Sequence, residues 1–137
     1  MFLIEGLCTH FKHSSYIFTK WGRRYVDNRR VCRSHGGDLV SIETDAEWKF
    51  INGEIQKRNS WNTTAWHIGL RKSYQNGNWI WSSGEPLNIS KWRDSEPNDN
   101  DKRAEISKNE GLFNGISYLD ENAFICEFPE GKQTFHP

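Results

Sequence analysis

No stretch of the chain approaches the roughly 20 consecutive apolar residues of a membrane-spanning helix, so membrane insertion is not expected of this segment. The opening Met1-Phe2-Leu3-Ile4 is too short for the apolar centre of a secretory signal. For an exported protein the address would then lie outside these residues. Net charge is absent as well, with 18 Lys and Arg against 18 Asp and Glu. Neither nucleic acid nor an anionic membrane surface is therefore an expected partner. There is no low-complexity run, no internal repeat and no linker. The 137 residues fit one domain, 1–137, large enough to bury a core. Neither a Gly-rich phosphate loop nor a zinc-protease motif occurs. Ser34, His35 and Asp38 are close in sequence, but nothing places a nucleophile, a base and an orienting acid in a working geometry. The chain is not expected to be an enzyme.

Aromatic residues, by contrast, are plentiful: 14% of the chain, with seven Trp, against 35% apolar residues overall. A few large rings can close a core that is poor in Leu and Val, because each buries a large area. Trp66, Trp79, Trp81 and Trp92 are expected in that core rather than on a stacking platform. Tyr16-Ile17-Phe18 reads as a first strand. Tyr25 to about Ser34 is helical in composition, and Gly36-Gly37 stops it. Leu39, Val40 and Ile42 form a short extended segment. Thr44-Asp45-Ala46-Glu47 has capping-box spacing, which predicts a second helix with Phe50, Ile51 and Ile55 on its buried stripe and an end near Asn59.

Beyond residue 60 helical periodicity stops. Trp66–Leu70 and Trp79–Trp81 read as strands, with Asn76-Gly77 as a hairpin turn between them. A polar loop runs from about Ser82 to Arg103, Phe124–Phe128 reads as a final strand, and Glu130–Pro137 as a frayed end. Helices first and short strands later give an α+β domain, and a loop of this length is usually functional.

The ordered residues Cys32, Gly36-Gly37-Asp38-Leu39-Val40-Ser41-Ile42, Glu47, Ile68-Gly69-Leu70, Trp79-Ile80-Trp81, Gly84, Trp92, Glu96-Pro97-Asn98, Phe113-Asn114 and Phe124-Ile125-Cys126-Glu127 resemble a C-type-lectin-like domain over roughly residues 16–128. The resemblance implies a double-loop fold with two helices, short antiparallel strands and a long ligand loop. It also implies a Cys32–Cys126 disulfide, the alternative being two buried free thiols. The family's inner disulfide is missing, with Arg103 and Tyr118 at its positions. Ser15 stands where a partner for Cys8 would be, so Cys8 is left free or joins two copies into a dimer. Two sequons, Asn62-Thr63-Thr64 and Asn88-Ile89-Ser90, together with the disulfide, suggest an extracellular glycoprotein, either secreted or the ectodomain of a membrane protein.

Calcium takes about six to eight oxygen ligands, and Glu96-Pro97-Asn98-Asp99-Asn100-Asp101 supplies many side-chain oxygens in one loop. The resemblance assigns carbohydrate binding to Glu96, Asn98 and Asn114, and a calcium ion to the same three with Asp99 and Asp101. Glu accepts from, and Asn donates to, two adjacent equatorial hydroxyls of a mannose-type sugar. The bond from Glu96 to Pro97 would be cis. Gly115 departs from the pattern, since relatives that bind calcium usually carry an acid there. An acid restored at 115 is expected to strengthen or create calcium binding, and to strain the fold by itself if φ there is positive. The auxiliary calcium site is expected to be absent, because Arg71-Lys72-Ser73-Tyr74 brings no acids. Two functions follow: a calcium-dependent carbohydrate-binding module with mannose-type preference, or a calcium-independent protein-recognition domain on the same fold. His10 and His13 are expected to be surface residues. Arg23, Arg24, Arg29, Arg30 and Arg33 are read as a solvated helix face, with a polyanion site as the lesser reading.

Overall fold

The computed structural model describes residues 8–130. The frayed end expected beyond Glu130 lies outside the described residues. Helix α1 (Tyr25–Ser34) buries Tyr25, Asn28 and Cys32, a spacing that keeps all three on one face. Gly36, at φ 91°, turns the chain out of the helix, and the Gly37 amide closes back on the Cys32 carbonyl. Helix α2 (Asp45–Lys57) starts at Thr44, whose hydroxyl accepts from the Glu47 amide at 3.1 Å. The Glu47 carboxylate returns to the Glu43 amide rather than to that of Thr44. Ile51 and Ile55 are buried as expected; Phe50 is half-buried and stacks on Phe11 at 4.8 Å.

The strands are β1 (Thr9–Phe11), β2 (Ser14–Phe18), β3 (Asp38–Leu39), β4 (Ala65–Lys72), β5 (Trp79–Trp81), β6 (Arg103–Ser107), β7 (Phe113–Ile116) and β8 (Ala123–Pro129). They form one sheet in the order β1-β2-β8-β4-β6-β7, with β3 on β8 and β5 on β4. The expectation of antiparallel strands is corrected at one place: β4 and β8 run parallel. Both are near-continuous apolar runs, as strands covered on both faces are. Ser14 lies opposite Pro129, so β2 and the last strand, β8, close the outer loop of a double-loop architecture. The Asn76-Gly77 turn is wider than a tight hairpin: the register pairs Lys72 with Trp79, leaving Ser73–Asn78 as a six-residue loop.

Cys32 on α1 and Cys126 on β8 form a disulfide, packed with Tyr25, Leu39, Ile116, Phe124 and Phe128. The larger core gathers Val40, Ile42, Ile51, Ile55, Trp66, Ile68, Leu70, Trp81, Ile106, Phe113 and Ile125. Trp66 and Trp81 are fully buried; Trp79 and Trp92 are partly buried against this core. Cys8 is exposed and free. In the β1–β2 register Ser15 lies opposite His10.

Candidate functional site

Between β5 and β6 residues 82–102 form no strand and touch the sheet only at isolated bridges, Pro86 on Ile80 and Trp92 on Phe113. Such a loop needs anchors, and aromatic edges supply them. Trp92 meets Trp79 edge-on at 5.0 Å and Phe113 at 6.0 Å; Phe113 in turn meets Trp81 at 5.9 Å. These edge-to-face contacts pair positive ring edges with negative ring faces. The Phe113 amide donates to the Lys91 carbonyl and the Arg93 amide to the Phe113 carbonyl. The polar tip therefore starts from a fixed base against β7.

The Glu96 amide closes on the Arg93 carbonyl, Ser95 takes φ 71°, and the Glu96–Pro97 peptide is cis, as the sequence resemblance implied. One Glu96 carboxylate oxygen accepts from the Gly115 amide at 2.9 Å. Asn98 and Asp101 close a small ring: the Asp101 amide donates to the Asn98 carbonyl, and Asp101 Oδ2 accepts from the Asn98 amide at 2.9 Å. Asp99 and Asn100 are exposed at the tip. A Cβ added to Gly115 would strike Asp101, overlapping Oδ2 and reaching Cβ and Cγ at 2.7 Å. The carboxylate missing from position 115 is thus replaced in space by that of Asp101. Positive φ is not the obstacle at Gly115, which is absent from the left-handed glycines.

Asn114 is differently engaged. Its Oδ1 accepts from Arg93 Nε at 3.2 Å, and its amide donates to Glu105 Oε2 at 3.1 Å. Glu105 Oε1 accepts from Asn122, and Arg93 Nη2 donates to the Asn109 carbonyl at 2.7 Å. Burial raises the Glu105 carboxyl above its ordinary value, and the Asn114 amide opposes this. Sequence reasoning missed both Arg93 and Glu105. Arg93 stands three residues before Glu96 and was legible as a cation inside the motif. Glu105 becomes meaningful only through the β6–β7 register, which places it opposite Asn114.

The oxygen donors of this loop match a calcium ion in part. Glu96, Asn98 and Asp101 fit: each keeps at least one side-chain oxygen outside the hydrogen bonds described, and Glu96 and Asp101 both converge on Gly115. Asn114 fits only if Arg93 withdraws, because the guanidinium already holds its oxygen. Among the described residues there is no cluster of three or more His, Cys, Asp or Glu side chains that could hold a metal. Any ion here would lean on amide oxygens.

Arg29 forms an ion pair with Asp38 at 2.9 Å, and Arg30 lies 3.6 Å from Asp27; Arg23, Arg24 and Arg33 are exposed. His10 bonds Ser15 and approaches Glu130, while His13 is exposed.

Two helices, a double-loop sheet and one long polar loop define the class of fold. The lectin C-type domain model matches residues 22–128, and the chain belongs to the C-type lectin domain family, whose members bind ligands and are not enzymes. It is 32% identical over 123 residues to the mouse low affinity immunoglobulin epsilon Fc receptor, covering 86% of this chain and 35% of that protein. The chain thus spans about a third of the length of this relative. Among solved structures, human lithostathine superposes with a TM-score of 0.81 at 23% identity, over 90% of this chain and 88% of that one. The cow CD23 carbohydrate-recognition domain, solved in the presence of a GlcNAc2Man3 oligosaccharide, gives 0.76 at 25% identity, over 89% and 92%.

Proposed function

We propose that residues 1–137 form one extracellular carbohydrate-binding domain, with the loop from Arg93 to Asp101 and the facing β7 residues as its ligand site. The observation that carries this reading is the convergence of Glu96 and Asp101 on Gly115, with the Asn98 backbone amide bonded to Asp101. Calcium, when bound by Glu96, Asn98 and Asp101, would supply a Lewis-acidic contact to two neighbouring hydroxyl oxygens. The protein's own part is directional: Glu96 accepts from those hydroxyls and the Asn98 amide donates to them. That donor–acceptor order supports a mannose-type preference, as does the mannose-containing oligosaccharide named with the cow relative. Single-site affinity is expected to be weak, since each hydrogen bond replaces one to water. Several copies would raise avidity, and exposed Cys8 offers one covalent route to a dimer.

A second reading rests on Arg93. Its bond to Asn114 places a protein cation where the ion's fourth ligand would be recruited, which favours calcium-independent recognition of a protein, the kind of ligand that the name of the mouse Fc receptor describes. Calorimetric titration of calcium, with and without mannose, separates the two. Mannose heat that needs calcium supports the first reading. No calcium binding in a folded protein removes it.

A further inference from the structure

At the end of the sheet opposite the ligand loop lies an open cleft of about 600 Å³, lined by Lys20, Trp21, Ser60, Trp61, Asn62 and Thr63. Its size is that of small-ligand sites, roughly 300–1,000 Å³. Two segments build it. Thr63 Oγ1 donates to the Lys20 carbonyl at 2.6 Å, which fastens the turn after α2 to the segment after β2. Lys108 Nζ holds the same turn through the Asn59 and Trp61 carbonyls. Trp61 packs against the main core and already has cations over its ring, Lys20 at 5.3 Å and Arg58 at 5.4 Å. Trp21 is different: it is 70% exposed and has no ring or cation partner among the described residues. One exposed ring alone needs no explanation. An exposed Trp in a cleft that also contains a glycosylation-acceptor asparagine does. Asn62 and Thr64, the two residues that define the sequon, are exposed, and they lie outside helix and strand, where an acceptor must lie.

We propose that Asn62 carries an N-linked glycan and that its first sugar seats in this cleft, with the C–H face of the pyranose on the Trp21 ring. In the attachment, Asn62 Nδ2 forms a bond to C1 of an N-acetylglucosamine. The C1–O bond to a lipid-pyrophosphate donor breaks, the pyrophosphate leaves as an anion, and one amide proton is released. A Trp face offers area to an apolar sugar face while the hydroxyls stay in water. The covalent link supplies a high effective concentration, so the contact forms without measurable affinity for free sugar. Placement is compatible with ligand binding. The cleft precedes Ala65 at one end of β4, whereas Arg71, at the other end, pairs with Arg103 beside the ligand loop. At about 3.3 Å per strand residue the two sites are roughly 20 Å apart. The second sequon, at Asn88, does not line the cleft and serves as an internal comparison.

The test is secretion of the chain from glycosylating cells, glycopeptide mapping, and enzymatic trimming to a single N-acetylglucosamine per site. The protein is compared with Asn62→Gln and Asn88→Gln for acrylamide quenching of tryptophan and for Tm. The expected result is an occupied Asn62, reduced Trp quenching and a Tm raised by a few degrees relative to Asn62→Gln. Trp21→Ala should abolish that Tm difference, and Asn88→Gln should leave it intact. An unmodified Asn62 in the secreted protein overturns the proposal. So does an attached glycan that changes neither quenching nor Tm. Shifts at Trp21 on adding free N-acetylglucosamine to unglycosylated protein would also overturn it, because the cleft would then be a site for external ligand.

Discussion

Gly115→Ala is the smallest change that probes how the ligand loop is packed. The added methyl would lie 2.7 Å from Asp101 Cβ and Cγ and overlap the carboxylate. Overpacking of this kind costs about 1–3 kcal/mol. Asp101 is only half-buried, so it can swing away by giving up its bond from the Asn98 amide, worth about 1 kcal/mol. The relief route sets the scale: a loss of about 1–2 kcal/mol, or about 4–8 °C in Tm for a chain of this size. Asp101→Gly alone should cost about 1 kcal/mol through the same lost hydrogen bond. The pair Asp101→Gly/Gly115→Ala should cost less than the sum of the singles, with a coupling of about 1 kcal/mol. Urea unfolding in chelator measures all four proteins free of any metal contribution. The same geometry corrects the sequence expectation for Gly115→Asp. An acid at 115 displaces Asp101 instead of adding to it, so a gain in calcium affinity should appear only when Asp101→Gly accompanies it. A Gly115→Ala protein as stable as the original, or strictly additive singles, would refute the overlap.

Three further outcomes follow from single contacts. His67 is fully buried, and burial lowers its pKa to about 4 from 6.5, against a smaller upward pull from Asp120. The folded state then binds fewer protons than the unfolded chain between those values. Its contribution to stability is complete above pH 6.5, falls as pH drops, and levels off near 4 after a loss of about 3 kcal/mol. Glu105 and Glu127, raised by burial, run the opposite way, so the difference between the original and His67→Gln stability profiles isolates the His67 part; parallel profiles would refute it. Reducing Cys32–Cys126, which closes 94 residues of sequence, should destabilise the domain by about 4–5 kcal/mol in the chain-entropy model, read by urea midpoint with and without reductant. An unchanged midpoint with both thiols alkylated would contradict it. Arg93→Ala frees Asn114 Oδ1 and should tighten calcium binding by calorimetry. If the original protein binds calcium and the variant binds it no better, Arg93 is not a competitor.

The sequence made the helices legible because their signals are local: Gly36-Gly37 as a stop, the Thr44–Glu47 cap, and apolar residues on one face. Strands β4, β5 and β8 were legible as aromatic and apolar runs. Strands β1 and β7 were not, because Thr9–Phe11 and Phe113–Ile116 mix polar and apolar residues without clean alternation and take their conformation from neighbours; β6, Arg103-Ala104-Glu105-Ile106-Ser107, does alternate, but its five residues follow directly on the polar loop and bring only two apolar side chains. The site followed the same division. Glu96, Asn98 and Asp101 fall within one short segment, Glu96–Asp101, and could be read as a loop of oxygens. Arg93 holding Asn114, Glu105 behind it, and Asp101 filling the space above Gly115 depend on cross-strand register, which no local pattern encodes.

The most direct measurement is an amide chemical-shift titration of the isotope-labelled protein with methyl mannoside in calcium, repeated with methyl galactoside and with chelator. The Gly115 amide, hydrogen-bonded to Glu96, is the reporter. The expected result is saturable shifts confined to residues 93–101 and 113–116, larger for the mannoside, and lost in chelator. Shifts centred instead on the α1 arginines or the Trp21 cleft, or no shifts at all at Glu96, Asn98 and Gly115 in a folded protein, would contradict the assignment of this loop as the glycan site.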